Sequence, residues 1–448
     1  MAQTRGPFFY GWVMLGVAIA MAVATMPTQT VVVSLFNDSL RTSLDLNVEQ
    51  LSRAYTIGTI LAAFPLPWIG RMADKHGLRR VVFFVALGCA GAVALLTQVS
   101  GLVGLVLCFF FMRLLGQGSL GMLAGHTIAM WFERRLGTAH SLLAIVGFAG
   151  GSALMPAPTA WLIEHHGWRP AALVLSGMIL LLTLPFVILI FRNKPEDIGQ
   201  HLDGDTTEHA THDVMHGGRP PADDPAFTRG QAMRTRAYWI LVPIMCVNGL
   251  IGTALLFHMQ VMLRSAGLEG NEAQAAIAIQ PWPIAFGVSM LLLGWLVDRV
   301  PPRKLLPFGP AIMLVSCVVC LLAVSGRVPS DWIVGTMALG MGLFGVSMGI
   351  SVAVGNPAIA RYFGRTHHGA IRGTITLASV AATGVGPWLT GGAYLLAGKD
   401  FMPILIVFAL AGVPLGVASL FLRPPTPPAE RDLSHPDPDE PDPIGPDG

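Results

Sequence analysis

Long apolar stretches separated by short polar segments run through the whole chain. A helix needs about 20 apolar residues to cross the hydrocarbon core of a bilayer, and a window of that length predicts twelve spans. They cover residues 10–36, 52–72, 80–99, 102–131, 138–163, 169–192, 237–263, 274–297, 304–325, 331–360, 370–397 and 401–423. Backbone N–H and C=O groups in lipid must pair within their own segment, so each span is predicted to be an α-helix.

The composition supports a membrane location. Of 448 residues, 53% are hydrophobic and 12% are charged, whereas an average soluble domain is about 25% charged. A soluble protein this apolar could not cover its surface with polar groups. We therefore expect a lipid bilayer around the chain, and the net charge of +2 gives no reason to expect nucleic acid as a partner.

Lys and Arg residues are concentrated in alternate loops. With the N-terminus inside, the cytoplasmic segments hold 21 of the 28 Lys and Arg residues, the opposite loops hold 6, and the remaining one is Arg113 within a span. Positive charge is retained on the cytoplasmic side of membrane proteins. The bias predicts a multi-pass protein of the inner (plasma) membrane with both termini in the cytoplasm.

Polar segments divide the chain into four parts. We predict a six-helix bundle over residues 1–192, a flexible cytoplasmic linker over 193–236, a second six-helix bundle over 237–423, and a disordered, acidic, Pro-rich tail over 424–448. Four His residues in the linker match no compact ligand pattern, and the C-x-x-C of Cys317 and Cys320 lies on a predicted membrane helix with no further Cys or His ligand nearby. Neither a metal nor another cofactor is expected.

Two loops repeat each other. Residues 70–80 read GRMADKHGLRR and residues 294–304 read GWLVDRVPPRK, which pairs Gly70 with Gly294 and Asp74 with Asp298 at a spacing of 224. A second pair, Trp131-Phe132 and Tyr362-Phe363, follows the fourth and tenth spans at a spacing of 231. Matches in equivalent loops indicate a duplicated six-helix unit.

These motifs resemble a known family. GRMADKHGLRR resembles the signature between helices 2 and 3 of the major facilitator superfamily, and FMRLLGQGSLG resembles its helix 4 motif. The resemblance covers residues 8–423 and implies an all-α membrane fold of twelve helices in two pseudo-symmetric bundles. It also implies transport by alternating access, in which the two halves rock about a solute site at mid-membrane.

Finer motifs resemble the bacterial monocarboxylate and oxalate–formate porter branch. They are FYGW, WFERRLG, HHGWR, RNKPEDIG and YFGRTHHGAIRG. The eighth span departs from that branch, because it carries Gln280 and no charge where animal monocarboxylate porters have an Asp and an Arg and oxalate porters have a basic residue. The basic residue of helix 11 in oxalate porters is also absent, which leaves lactate and oxalate in doubt as solutes.

Arg113 is the first candidate for solute binding. It lies about eleven residues into the fourth span, where a charge is costly unless it faces water or a partner. No Asp or Glu lies in the interior of any span, so the cavity is expected to be positive and to favour an anion, which a guanidinium binds bidentately. The alternative is that Arg113 only ties helix 4 to carbonyls of helix 1.

Other polar residues on the apolar spans are weaker candidates. Solute contact is weighed against hydrogen bonding between helices for Gln29, Tyr55, Asn248, His258, Gln280 and Asn356. A proton could be carried by His258 or His126, because His titrates near neutral pH. Alternatively each His is neutral and hydrogen-bonded in the bundle, the proton travels on the solute, or anion exchanges for anion.

The repeated loops are predicted to act as gates. Their candidate residues are Gly70, Asp74, Lys75, Gly77, Arg79 and Arg80 in the first loop and Asp298, Arg299 and Arg303 in the second. Each Asp is expected to pair with Arg in its own loop, or to accept hydrogen bonds at the N-terminus of a facing helix, where an anion is stabilised by about 0.3–1 kcal/mol. The alternative is that these residues only set topology.

The sequence therefore favours a secondary active transporter of a small organic anion, monocarboxylate-like, working as a proton symporter or an anion exchanger and as a monomer. Export of a neutral or amphiphilic small molecule is the alternative. An enzyme would need a clustered acid–His or metal site, an ATP-driven permease a P-loop, and a sensor a folded cytoplasmic domain. None of these is present in the sequence.

Overall fold

The structure is a computed structural model, which describes residues 8–46, 48–204, 226–268 and 272–426. This part of the chain contains helices and no strand. The predicted tail beyond residue 426 and the middle of the predicted linker, residues 205–225, lie outside the described residues.

The first half contains six helices. They are α1 (Gly11–Val33), α2 (Val48–Ala63 and Leu66–His76), α3 (Leu78–Gln98), α4 (Gly101–Trp131), α5 (Leu136–Gly150, Gly151–Leu154 and Pro156–His166) and α6 (Trp168–Leu189). The helices α2 and α5 are interrupted just before Pro65 and Pro156, because proline lacks the N–H that would continue the helix.

The second half repeats this arrangement. Its helices are α7 (Arg236–Ser265), α8 (Glu272–Ile279 and Pro281–Val297), α9 (Phe308–Val324), α10 (Ser330–Phe363), α11 (His368–Leu396) and α12 (Met402–Leu420). Within the described residues, nine stretches are long and apolar enough to cross a membrane. The remaining three helices are the interrupted α2 and α5 and the Gly- and Thr-rich α11. The predicted all-α fold of twelve helices in two halves is confirmed.

Two helices of the first half widen at mid-length. Residues Arg113–Leu120 of α4 and Leu143–Gly150 of α5 form π-helix, in which each backbone bond spans five residues instead of four. The hydroxyl of Ser119 donates to the carbonyl of Leu114 at 2.6 Å, five residues back. No π-helix occurs in the described parts of α10 and α11, the counterparts of these two helices.

Small residues allow the helices of the second half to pack closely. A Cβ built on Gly345 of α10 would lie 2.3 Å from the carbonyl oxygen of Trp282, and one built on Gly349 would lie 2.6 Å from Cβ of Ser289, both in α8. On the outside of the bundle, large apolar side chains such as Val103 and Leu181 are 74% and 70% exposed. Such a surface fits a lipid environment rather than water.

The two halves meet at one end of the molecule. We call it the basic end, because it carries loops 70–80 and 294–304; the opposite end is the far end. The main contacts between halves join α11 to α2 and α8 to α5, and those of α5 involve its first turns, which lie at the basic end. The outermost segments at the far end, residues 37–44 and 156–166, make no such extensive contacts with described residues of the other half.

Both described ends of the predicted linker pack onto the basic end. The carboxylate of Asp203 accepts backbone N–H groups of the loop after α4, at 2.7 Å from Arg134 and 3.1 Å from Glu133. The backbone N–H of Phe227 donates to the carbonyl of Phe363 at 3.2 Å. The described residues on both sides of 205–225 are therefore part of the packed structure.

We expect Gly345→Val to destabilise the second half, because the added side chain must push α8 away from α10. Overpacking of this kind costs about 1–3 kcal/mol. The matched control is Gly335→Val on the same helix, where a Cβ meets nothing within 4 Å. Thermal unfolding in detergent should give a lower Tm for the first variant only, and equal Tm values for the two would contradict the packing described here.

Candidate solute site and gate

Arg113 lies inside the first half and is 5% exposed. One guanidinium nitrogen, Nη1, donates to the carbonyl of Thr28 at 3.3 Å and to the hydroxyl of Thr30 at 3.4 Å. The guanidinium carbon lies 5.0 Å from the ring centroid of Tyr55, whose hydroxyl is 2.7 Å from that of Thr30. Nε of Arg113 is buried without a hydrogen bond, and no described carboxylate pairs with the guanidinium.

The contact between α1 and α4 depends on a glycine one turn beyond Arg113. A Cβ built on Gly116 would lie 2.1 Å from the hydroxyl oxygen of Thr28. The missing side chain lets α4 approach α1 closely. Arg113 can therefore reach the carbonyl of Thr28, which follows the straight first part of α1, Gly11–Ala24. The geometry therefore supports both interpretations of Arg113. It ties helix 4 to helix 1 by donating to a carbonyl, and its Nε–H remains available to a solute.

The other solute candidates are spread out. Gln29 is half-buried beside the Thr residues that contact Arg113, and its amide donates to the hydroxyl of Thr25 at 3.2 Å. Asn248 is 3% exposed and bridges α7 to α10 through Ser351 at 3.1 Å. Gln280 is exposed on a groove of about 510 Å³ between α8 and α10. Arg113, Tyr55 and Gln29 thus lie together.

Asn356 is half-buried on α10, in the other half of the molecule from Arg113. His258 and His126, the two candidates for proton coupling, lie towards opposite ends. Nε2 of His258 is 3.0 Å from the carbonyl of Pro387, which joins α7 to α11. Nε2 of His126, near the basic end of α4, is 3.6 Å from Oδ1 of Asp74.

The side chain of Asp74 makes hydrogen bonds across the interface between the halves. Its carboxylate accepts hydrogen bonds from the backbone N–H of Gly369 at 2.9 Å and of Ala370 at 2.8 Å, in the first turn of α11. These N–H groups have no partner within the helix and carry the positive end of its dipole. The backbones touch one turn earlier, because a Cβ on Gly70 would lie 1.9 Å from the carbonyl oxygen of Gly369.

Asp298 makes the same contact in the opposite direction. Its carboxylate accepts the backbone N–H of Gly137 at 2.8 Å and of Thr138 at 3.0 Å, in the first turn of α5, and the hydroxyl of Thr138 at 2.7 Å. Arg361 completes the site with a 2.7 Å ion pair. Gly294 matches Gly70, because a Cβ there would lie 2.6 Å from the hydroxyl of Ser141.

The pairing expected within each loop is not made by the described residues. Arg79 instead donates to the carbonyls of Val187 and Ile188 at the end of α6, where a cation is favourable. Arg299 lies 3.7 Å from the ring centroid of Trp295. The remaining basic gate candidates, Lys75, Arg80 and Arg303, are exposed. Gly77 is the N-cap residue of α3 and has a positive φ of 83°.

The sequence predicted that each aspartate could accept at the N-terminus of a facing helix, but it did not identify the particular partners. They are backbone N–H groups at the starts of α5 and α11 together with Arg361. One signal was available, because the spacing of 231 that aligns the segments after helices 4 and 10 also aligns Thr138 with Gly369. The repeat thus placed both helix starts in equivalent positions.

The environment of Asp74 changes its acidity. This carboxyl follows the second predicted span, and burial between the halves raises its pKa to about 7. The hydrogen bonds from Ala370 and Gly369 favour the carboxylate and oppose that shift. Asp74 therefore gains or loses its proton near neutral pH while the halves are closed at the basic end.

A sequence profile of the Major Facilitator Superfamily matches residues 13–342 and 241–446. The chain belongs to this superfamily. Membership of this superfamily and the transporter relatives confirm the sequence-based prediction of a transporter rather than an enzyme.

Curated relatives of this superfamily member are distant. The uncharacterized MFS-type transporter YhjX of Escherichia coli is 24% identical over 300 residues, covering 65% of this chain and 67% of the relative. The gallate transporter of Pseudomonas putida is 23% identical over 379 residues, 78% of each chain. The probable sulfoacetate transporter SauU of Cupriavidus necator is 27% identical over 151 residues, 31% of this chain and 34% of the relative.

A solved structure has the same fold. The human organic anion transporter MFSD10 (TETRAN) superposes with a TM-score of 0.59 at 17% identity, covering 92% of this chain and 98% of the other. At this identity the likeness concerns the fold. The finer resemblance to the monocarboxylate and oxalate–formate porters remains a prediction.

The raised pKa of Asp74 predicts how pH acts on the gate. When the basic end opens, Asp74 is hydrated and its pKa returns to about 4, so the closed form binds more protons between about pH 4 and pH 7. The state that binds more protons gains population as pH falls. We therefore expect acid to favour closure of the basic end, and Asp74→Asn to abolish that pH dependence.

Spin labels at the exposed positions 75 and 303 would report the separation of the halves at pH 5 and pH 8, in a Cys246→Ser background. The matched control is Asp331→Asn, an exposed carboxyl at the far end of α10. A wild-type pH response in Asp74→Asn would show that another group senses the proton.

Proposed function

We propose that this protein is a secondary active transporter that carries a small organic anion by alternating access. The observation that carries the proposal is the buried guanidinium of Arg113, which has no carboxylate partner among the described residues and retains an unpaired Nε–H. An uncompensated charge inside a helix bundle is costly. A solute carboxylate at this position would supply the missing acceptor.

The relatives support an anionic solute. Two of them are named for gallate and sulfoacetate, which are organic anions. The proposed site of Arg113, Tyr55 and Gln29 offers one cation, an aromatic ring and an amide, which suits one carboxylate on a compact body. A monocarboxylate therefore fits the site better than a dianion. We leave Asn248 and Gln280 outside the site, because the first is bonded within its own half and the second lies on an outer groove.

We further propose that Asp74 and Asp298 are the two latches that close the basic end, and that this end is cytoplasmic. Each latch depends on backbone N–H donors at a helix N-terminus. Attraction between a charged carboxylate and the helix dipole is worth about 0.3–1 kcal/mol when exposed and up to about 2 kcal/mol when partly buried, and at Asp74 the desolvation that raises its pKa opposes this attraction. Interactions of this size hold a gate closed and still let solute binding reverse the balance. Gly70 contributes by letting the backbones meet.

Coupling to protons is proposed to use His258, with His126 as a second candidate. His258 joins α7 to α11 by one hydrogen bond to a carbonyl, so a gain of charge there would change the contact between two helices of the second half, one of which, α11, packs against α2 of the first half. His126 touches Asp74, which links protonation to the latch. We expect the protein to act as a monomer in the inner membrane with both termini in the cytoplasm.

Arg113→Gln should weaken solute binding strongly. Loss of a charged hydrogen bond costs about 1.5–3 kcal/mol, which is roughly a 10- to 100-fold rise in KM. The measurement is uptake of labelled gallate and benzoate into proteoliposomes with an imposed gradient, beside their neutral methyl esters. Arg327→Gln, at an exposed loop position, is the control. Export of neutral compounds would be indicated if the esters were carried as well as the acids, or if Arg113→Gln left KM unchanged.

His258→Gln tests coupling separately from binding. Gln keeps a hydrogen-bond donor for the carbonyl of Pro387 but cannot gain a charge. We expect uphill uptake driven by a pH gradient to be lost, while exchange of labelled for unlabelled solute without a gradient continues. His165→Gln, at an exposed position, serves as the control. Unchanged gradient-driven uptake in His258→Gln would transfer the coupling role to His126 or to the solute itself.

A further inference from the structure

A second arginine lies between the halves near the basic end. Arg372 lies in the second turn of α11. In the sequence analysis it was one of the 21 Lys and Arg residues assigned to the cytoplasmic segments. Its guanidinium fits against α4 at a glycine, since a Cβ built on Gly125 would lie 2.4 Å from Nη2 and 2.8 Å from Cζ of Arg372. The bare backbone at Gly125 makes room for this cation.

The guanidinium of Arg372 lacks an acceptor among the described residues. Its Nη1 is buried without a hydrogen bond, and it forms no ion pair in this part of the chain. Asp74, in the same region, is occupied by the N–H groups of Gly369 and Ala370 and by His126. A buried cation in such surroundings needs an anion to become stable.

Three histidines surround this cation. His126, His140 and His368, on α4, α5 and α11, are 2%, 3% and 0% exposed. The rings of His126 and His368 lie 5.0 Å apart, and His140 interacts electrostatically with both Arg372 and His368. Nδ1 of His126 and Nε2 of His140 have no hydrogen-bond partner. A neutral imidazole carries one N–H donor and one acceptor nitrogen, whereas the guanidinium of Arg372 carries only donors, so donors outnumber acceptors in this cluster.

We propose that Arg372, His126, His140 and His368 form a second anion site, the gate site, which receives the carboxylate of the solute on its way through the basic end. This inference rests on the proposed transport of an organic anion. The donors come from three helices of both halves, so closing the basic end completes the site around the anion. When the basic end opens, Arg372 faces that end and makes the first contact with an anion that enters there.

The gate site and Arg113 are too far apart to hold one small solute together. Gly125, which contacts Arg372, follows Arg113 by twelve residues on the same helix, which is about 18 Å at 1.5 Å per residue. The two cations therefore bind the anion in succession. Asp74 binds the first turn of α11, one turn before Arg372, so an arriving anion is placed near the carboxylate of the latch and repels it.

The order of the two sites gives a test that distinguishes them. In oriented proteoliposomes, Arg372→Gln should raise the KM for gallate measured from the basic end roughly ten-fold, while the KM from the far end stays within two-fold. Arg113→Gln should raise the KM from both sides. Arg372→Lys should restore part of the loss, and Arg234→Gln, an exposed arginine at the basic end, should change neither value.

Binding is measured separately, as the Tm shift produced by acetate and gallate in detergent. We expect Arg372→Gln to reduce the shift. If Arg372→Gln does not fold, Gly125→Ala displaces the guanidinium without removing its charge and should give the same side-specific effect. Anion transport with no side-specific change in either variant would overturn the gate site. No transport of any carboxylate, with an anion-dependent Tm shift that still requires Arg372, would reject the proposed function and retain the site.

Discussion

A carboxylate from one half binds the N-terminus of a helix in the other half, and the closed arrangement depends on this contact. It occurs twice, through Asp74 on α11 and Asp298 on α5. Each contact requires the two helices to approach closely, backbone against backbone at Gly70 and backbone against the Ser141 side chain at Gly294, which explains both glycines. The attraction is short in range and vanishes once the helix start moves away. The two halves are therefore held at one end by a few hydrogen bonds and remain separable.

The two latches share a geometry and differ in chemistry. Asp298 forms an ion pair with Arg361. Asp74 forms no ion pair with an arginine in the described part of the chain, lies 3.6 Å from His126, and has its pKa raised by burial to about 7. One latch thus has a permanent cation as its partner, and the other responds to pH. The duplication supplied the mechanical contact, and later differences between the halves gave one copy its sensitivity to protons.

The sequence was sufficient for the architecture, because hydropathy reports directly on the lipid environment and the repeated loops mark equivalent positions. It also led to Asp74 and Asp298 as residues that accept at helix starts. It could not find their partners, because backbone N–H groups have no residue type to recognise. Arg372 was missed for a related reason: a charge near a predicted helix end looks like a loop residue until the helix boundary is known. Asn248 is a different case. It was predicted as a solute contact because it is polar on an apolar helix, but its amide bonds to Ser351 within the second half.

The π-helical turns of α4 and α5 have a consequence for motion. Such a turn holds one extra residue, and when it moves along the helix each residue that it passes rotates by about 100° about the helix axis. Residues of α4 next to Arg113 can therefore rotate while the segment that carries Gly125 keeps its position. The counterparts α10 and α11 contain no such turn in their described residues. In the first half, α4 and α5 thus have a point at mid-length where residues can rotate locally, and their counterparts in the second half lack such a point in their described residues.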